Sequence, residues 1–413
     1  MLFCKPIRNK SRYKPLRQID QTFSFTEFEK ASLINSKDWN AVIGDSIFFN
    51  IDYLKLIEKC THVDLKCRYV IIYKKGIPCG IIYFQLTDFK ANVFGDLLQN
   101  EIDEIKSHRL KLFEKYIQSK EEHDVLFRML TCGNNLISGE YGFLKNNHID
   151  RSDFYKVLCT LVKTISSEEN LRGKISALLI KDFYKAVPEI EKNESFKGES
   201  FSVEPNLIVD IPKDIESLDA YFQLFSKKYR NRAKGILKFR NGFSIKELSL
   251  EEITAANDEM FTLYQNIYDK AKFKLLQLPA NYFSEVKKIF NDQFHVKGFY
   301  VNEKLVAFSS WFQMPDNSIE AHYIGLNYEV NEQMELYQNI LYDFVELAII
   351  NKNDHVNLGR TAAEIKTTIG AKAHDLICYI QPQNTVSKLI VKPFIEFLSP
   401  KDWIPRNPFK EEA

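Results

Sequence analysis

Residues 71–85 read IIYKKGIPCGIIYFQ, two apolar strand-like runs on either side of a tight polar turn centred on Lys75 and Gly76. A stretch of the same character returns at 298–313 as GFYVNEKLVAFSSWFQ, one residue longer. Both end in a shared word, YFQLTD at 83–88 and WFQMPD at 311–316, which sets Phe84 against Phe312, Gln85 against Gln313 and Asp88 against Asp316. Upstream, helix-like DYLKLIEK (52–59) corresponds to NYFSEVKK (281–288). Self-similarity at this spacing predicts one architecture built twice.

Downstream the two halves match in rhythm instead of in letters. Phe154, Val157, Leu158, Leu161, Val162 and Ile165 recur at the spacing of a one-sided helix, and so do Tyr337, Ile340, Leu341, Phe344, Val345 and Ala348. Each helix follows a strand-like segment ending in glycine, LFRMLTCG (126–133) and SIEAHYIG (318–325). Each precedes another strand, ISALLIKD (175–182) and HVNLGR (355–360). Strand, helix, strand is a crossover that delivers a parallel neighbour, so each half should be a mixed α/β unit: an antiparallel hairpin first, then a parallel pair. The polar segment NESFKGESFSVEP (193–205) marks the join, giving domains at 1–200 and 201–413. The first half carries an extra charged, helical insertion near 97–123.

Composition narrows the function classes. The 413 residues hold 56 Lys+Arg against 55 Asp+Glu, with 45% hydrophobic residues and a large aromatic share, 20 Tyr, 32 Phe and 3 Trp. Such a chain is globular and long enough for two cores. A net charge of +1 removes the strong positive field that bulk nucleic-acid binding needs, leaving only a local patch. No apolar run reaches the length of a membrane span. The basic N-terminus MLFCKPIRNKSRYKP has no apolar stretch behind it and does not read as a secretory signal. Seven scattered cysteines, without a CxxC pair or clustered histidines, argue against a disulfide framework and against a metal site; a reducing cytoplasm and buried thiols are expected.

The local patch lies at the start of the second half. An apolar strand, a turn at Pro212 and an amphipathic helix lead into Lys227, Lys228, Arg230, Arg232, Lys234, Lys238 and Arg240. Read by itself, this run is either a solvated helix face or an anion site, since arginine presents a planar, permanently charged fork.

The segment KYRNRAKGILKFRNGFSI (228–245), placed after a strand and a helix, resembles the motif TRNxIRKAxKxG that opens the second domain of Fem-type peptidoglycan aminoacyltransferases. GRTAAEIKTTIGA (359–371) resembles the C-terminal motif of FemAB-like, peptidoglycan biosynthesis/recognition acetyltransferases, and YKKGIPCGIIYFQ and CGNNLISGEYGF fit their N-terminal half. The resemblance covers most of residues 45–380. It implies two tandem GNAT-like domains, the N-acetyltransferase fold twice in one chain, with each sheet splayed between its fourth and fifth strands where the acyl donor enters. In the second half those strands are SIEAHYIG and HVNLGR. It also implies that Arg230 contacts the diphosphate of a nucleotide-linked muropeptide, with Arg232 beside it. The chain departs from the pattern where a glycine-rich pyrophosphate loop would precede the helix at 334–350: here it reads NYEVNEQMELY.

Acyl transfer to an amine needs a group that takes the nitrogen's proton. On SIEAHYIG, strand alternation puts Glu320 and His322 on one face and Ile319, Ala321 and Tyr323 on the other, so carboxylate and imidazole are the catalytic candidates, each tuning the other's proton affinity; a polar pair on a half-solvated strand face has the same pattern. Thr361 and Glu364 have the spacing of a capping box. Arg360, at a strand's carboxyl end before a helix, and Lys366 are candidate donor or substrate binders. CGNNLISGE (132–140) reads as a strand-end turn.

The expected activity is an N-acyltransferase that moves an acyl or aminoacyl group from acyl-coenzyme A or aminoacyl-tRNA to an amine of a cell-wall precursor or small metabolite, with the second half catalytic. The alternative is a non-catalytic protein of the same fold that binds peptidoglycan fragments or a partner. Convergence of Glu320, His322, Arg230 and Arg360 on one cleft separates the two.

Overall fold

The computed structural model describes residues 13–59, 65–90, 121, 125–168, 171, 173–271, 276–400 and 402–410. Apart from Glu121, the insertion expected near 97–123 lies outside them, as do Cys4 and Cys60. The chain forms two compact units: Met1–Val203 with Lys272–Leu276 and Asp375–Pro400, and Glu204–Ala271 with Gln277–His374 and Lys401–Ala413. A single cut near residue 200 misses this exchange, in which residues from near the C-terminus complete the first unit.

The first unit is a mixed sheet in the order β1 (Tyr13–Gln18), β2 (Phe23–Phe28), β3 (Lys66–Lys74), β4 (Ile77–Lys90), β5 (Val125–Cys132), β7 (Ala177–Phe183), with β6 (Phe143–Lys145) beside β4. Its far edge is the Asp375–Pro382 part of β14 (Lys372–Pro382), antiparallel to β7. Neighbours from β1 to β5 are antiparallel, and β5 and β7 are parallel, joined through helix Arg151–Ser166. Asp150 starts that helix by accepting the Asp153 amide, and the six residues of its apolar stripe are all buried. They pack on Val70, Ile72, Ile82, Phe84, Leu130 and Cys132. The other sheet face is covered by helices Ser36–Ile43 and Ile51–Ile57, which bury Trp39 and Leu54 against Tyr69, Ile71 and Tyr83. Farther along, helix Thr385–Leu398 lays Ile390, Val391 and Phe394 on Phe127, Met129 and Leu179.

The second unit repeats the plan. From β8 (Glu199–Asp210) its order is β8, β13 (His355–Asn357), β12 (Ile319–Leu326), β11 (Lys304–Gln313), β10 (Phe294–Val301), β9 (Ser244–Glu247). The β10–β11–β12 run is antiparallel and β12–β13 parallel, with helix Leu336–Ile350 as the crossover. Five of its six predicted apolar positions are buried, and Tyr337 packs partly buried against the same core. Helices Leu218–Gln223 and Lys227–Leu237 lie outside it, Phe222 edge-on to Tyr342. The opposite face carries helices Asn257–Lys270 and Tyr282–Phe290.

The shared word that pointed to duplication does not superpose. Both hairpins break register at one place, Ile72/Tyr73 and Phe299/Tyr300, which aligns Tyr73 with Tyr300 and Pro78 with Leu305 and leaves no room for an inserted residue. Phe84 then falls beside Trp311, and Gln85 beside Phe312. The faces agree: Phe84 packs under helix Arg151–Ser166 and Trp311 meets Phe344 of Leu336–Ile350. Tyr83 and Phe312 face the other side. Because side chains alternate along a strand, the one-residue offset that matches the letters puts them on opposite faces.

Candidate functional site

The two units differ at the parallel pair that follows each hairpin. In the first, β5 and β7 pair from Met129↔Ala177 to Cys132↔Ile180, the end of β5. The loop beyond is stapled to β7: the Lys181 ammonium donates to the carbonyls of Asn134 and Ile137, both at 2.8 Å, and Asp182 accepts the Gly139 amide at 3.2 Å. In the second, β12 and β13 pair only at Ile319↔Val356 and Glu320↔Asn357. Beyond Asn357 the chain keeps the antiparallel pairing that β13 makes with β8, the Leu358 amide donating to the Leu207 carbonyl, while β12 runs on to Leu326 without it. The sheet is therefore splayed beside Glu320, and in this unit only.

At the last rung Asn357 donates to both Glu320 oxygens, at 3.1 and 2.9 Å, and its own oxygen accepts the Gly359 amide at 3.0 Å. Glu320 is buried, and burial pushes its carboxyl up to about 8, with the Asn357 bond working in the opposite direction and the nearby Asp316 charge adding to the rise. The corresponding pair in the first unit is Thr131 and Leu179, which carries no titratable group.

His322 shares that face, as strand alternation predicts. Its Nε2 is 2.7 Å from the Tyr282 hydroxyl, and Phe294, Phe312, Tyr282 and Tyr323 ring it. Burial drives its pKa down to about 3, so the imidazole is neutral at neutral pH. The mutual tuning expected of the pair is not found: desolvation sets His322, and desolvation, Asn357 and Asp316 set Glu320. Tyr323 departs from the alternation. Between Ser309 and Trp311 the β11–β12 register slips, and the Ser310 hydroxyl both donates to the Tyr323 carbonyl and accepts its amide. This bulge brings the Tyr323 ring beside His322 and Tyr282 instead of onto the far face.

The segment after β13 corrects two expectations. Thr361 does not cap: it sits at φ 67°, the helix Ala363–Thr367 starts from Ala362 at φ 50° with no side-chain cap, and Glu364 pairs with Arg406 at 3.3 Å. With Gly359 at φ 66°, three of four consecutive residues are left-handed, and a β-branched threonine there is strained. Lys366 does not face a ligand. Its ammonium is buried and donates to the carbonyls of Leu358 (2.7 Å), Gly359 (3.3 Å) and Arg360 (2.6 Å), and desolvation lowers its pKa to about 7. Replacing it with methionine removes the ammonium donor from all three carbonyls, of which Gly359 keeps the Leu207 amide. Lys366→Met should lower the stability of this unit by about 2–4 kcal/mol in urea unfolding followed by Trp311 fluorescence. A loss under about 0.5 kcal/mol, the level of a surface change, would contradict this role.

The departure in NYEVNEQMELY has a structural counterpart. Helix Leu336–Ile350 begins from Glu335 in left-handed conformation, its carboxylate accepting from the Gln338 amide. Asn339 turns its amide onto the carbonyls of Ile236, Met334 and Glu335. A carboxylate thus occupies the helix end where a pyrophosphate would bind.

Arg230 and Arg232 lie on helix Lys227–Leu237, bonded to the neutral amides of Gln223 (3.2 Å) and Gln338 (3.1 Å). Arg240 is different, tied to Glu346 at 2.5 Å and Asn339 at 3.4 Å. The structure thus places Glu320 and His322 together on one sheet face, with Arg360 three residues past Asn357. Arg230 and Arg232 sit on the other side, outside helix Leu336–Ile350. The four groups expected to converge on one cleft therefore do not share a face: the sheet, which parts beside Glu320, lies between the basic helix and the Glu320–His322 pair. Asn357 and Tyr282 went unread as site residues; Asn357 lies in the strand expected at HVNLGR, and its role depends on the rung it shares with Glu320. Among the described residues, no group of three or more His, Cys, Asp or Glu side chains is placed to hold a metal ion. Among them also, no helix is long and apolar enough to cross a membrane.

No family model and no curated protein matches the chain. Solved structures do. A tandem GNAT protein from the clavulanic acid biosynthesis pathway matches with a TM-score of 0.47 at 7% identity, over 88% of this chain and 97% of that one. FemX matches with 0.46 at 9%, over 79% and 90%. The C-terminal domain (DUF2156) of a putative lysylphosphatidylglycerol synthetase from Agrobacterium fabrum matches with 0.46 at 10%, over 88% and 97%. The chain is a mixed α/β protein of two units built on the same plan.

Proposed function

We propose that the chain is an N-acyltransferase whose second unit transfers an acyl or aminoacyl group from a phosphate-bearing donor to the amine of a cell-wall precursor or related small metabolite in the cytoplasm. The observation that carries this reading is the splay of β12 from β13 beside a buried carboxyl whose pKa lies near the working pH, a combination the first unit lacks. In the reaction the amine nitrogen attacks the donor carbonyl carbon, the bond to the sulfur of coenzyme A or the ribose oxygen of tRNA breaks, and the nitrogen's proton passes to Glu320. A base with pKa near ambient pH is effective at this step, whereas an imidazole titrating near 3 is a weak acceptor. His322 and Tyr282 then shape the wall beside the reacting carbonyl. The donor's phosphates lie on the basic helix and its carbonyl reaches Glu320 through the splay.

Lys227, Lys228, Arg230, Arg232, Lys234 and Lys238 have no ion-pair partner among the described residues. The 11-residue helix that carries most of them is about 16 Å long, more than one diphosphate occupies, and this favours aminoacyl-tRNA over acyl-coenzyme A. Donor binding should weaken steeply with salt, and Arg230→Ala should reduce the slope of log K against log salt by about 0.7–0.9, one phosphate contact. A thermal-shift screen of coenzyme A, acetyl-coenzyme A, nucleotide-linked muropeptide and aminoacyl-tRNA against wild type and Arg230→Ala tests the reading. Stabilisation by one donor, reduced in the variant, supports it. No shift with any compound would favour the non-catalytic alternative.

A further inference from the structure

Glu320 stands at the last rung before the strands part, so something must hold its carboxyl in place at an edge where the sheet has ended. We propose that Asn357 is the positioning residue of this site, fixing the Glu320 carboxyl and setting the pH at which it takes up a proton; this rests on the acyltransferase reading given above. Three observations converge on it. The Asn357 amide nitrogen donates to the Glu320 carboxyl, lying 3.1 and 2.9 Å from its two oxygens. Its oxygen accepts the Gly359 amide, so its rotamer is fixed from behind. Gly359 in turn heads the left-handed turn whose carbonyls the Lys366 ammonium gathers, which makes the support rigid.

The other groups around the carboxyl cannot do this work. Across the antiparallel rung β11 offers Phe312, which is apolar. Two residues along β12, His322 is bonded to Tyr282 and neutral. Asp316, in the turn before β12, is a like charge that opposes ionisation and is already held by the Ser318 amide and hydroxyl. Helix Tyr282–Phe290 brings Tyr282 to His322 and Phe290 to Phe312. Asn357 is the donor facing Glu320, and a donor to both oxygens favours the carboxylate form. Removing it should therefore raise the proton affinity of Glu320 and delay ionisation to higher pH.

The test reads Glu320 directly and through transfer. In protein labelled with δ-13C glutamate, the Glu320 carboxyl resonance is assigned by its loss in Glu320→Gln and titrated in wild type, Asn357→Leu and Asn357→Ser. The midpoint should move up by about one pH unit or more in Asn357→Leu, and by less in Asn357→Ser, which keeps one hydroxyl donor. Asn357→Ser also serves if the leucine variant does not fold. In transfer assays the alkaline rise of kcat should move by the same amount with KM little changed. An unshifted Glu320 midpoint in both variants overturns the proposal whatever the transfer assay shows. A shifted midpoint in a protein that transfers nothing upholds the positioning of Glu320 and overturns the acyltransferase reading instead.

Discussion

Glu320→Gln should reduce acyl transfer by about 10²–10⁴-fold, the range for a lost general base, and should make the second unit more stable than wild type at alkaline pH. The stability half follows from linkage. In the folded chain Glu320 keeps its proton up to about 8, whereas the unfolded chain releases it near 4.5. Between those values the folded state binds more protons than the unfolded one, so stability falls as pH rises through the window. The difference, 8 less 4.5, sets a ceiling of roughly 5 kcal/mol on the loss. Glutamine has the shape of the protonated acid and no charge to bury, so the variant and wild type should be equally stable near pH 4 and diverge towards pH 9. Lys366 titrates in part of the same range, but it is present in both proteins and cancels in the difference. Urea unfolding at pH 4.5, 6.5 and 8.5 checks the sign. A variant less stable than wild type at every pH would mean that the carboxyl is held charged. Wild-type transfer should rise with pH to a plateau above about 8, and this rise should be absent in Glu320→Gln.

Ile380→Asp should unfold the first unit ahead of the second, although the substitution lies well past residue 201. Ile380 is fully buried on β14, opposite Leu179 and among Leu376, Cys378, Ile390 and Phe394. A carboxylate there has neither partner nor water, a change expected to exceed about 4 kcal/mol. Tryptophans report the units separately. Trp39 is buried in the first, its indole N–H donating to the Phe49 carbonyl at 2.8 Å, and Trp311 is buried in the second. With the other two tryptophans replaced by phenylalanine, the Trp39 transition should fall by about 10 °C or more in Ile380→Asp. The Trp311 transition should stay within a few degrees. The reverse order would mean that β14 does not complete the first unit.

Much of the fold was legible because buried faces leave periodic traces. The stripes Phe154 to Ile165 and Tyr337 to Ala348 marked both crossover helices, and hairpin plus crossover gave the mixed sheet twice. What escaped was governed by single residues or by long-range choice. The YFQ and WFQ words matched in letters while facing opposite ways, since letters carry no information about a one-residue offset. The bulge at Ser310 moved Tyr323 across the strand, and nothing in SIEAHYIG marks a bulge. Thr361 and Glu364 had the right spacing for a cap but not the backbone angle. Lys366 read as a donor or substrate binder because its true acceptors are backbone carbonyls, which every sequence has. Glu320 and His322 were found from chemistry on one strand. Asn357 required knowing where the parallel rung falls.

The exchange that completes the first unit also bears on how the protein is made. Ribosomes deliver the chain from its N-terminus, and a domain built from consecutive residues can close as it emerges. Here β7 ends at Phe183 and its partner strand ends at Pro382. At synthesis rates of about 5–20 residues per second, the intervening stretch takes roughly 10–40 s to appear. For that interval the β7 edge and the apolar face around Phe127 and Leu179 are exposed, and almost all of the second unit is available first. The first unit therefore cannot close until Asp375–Pro400 has been made, late in synthesis.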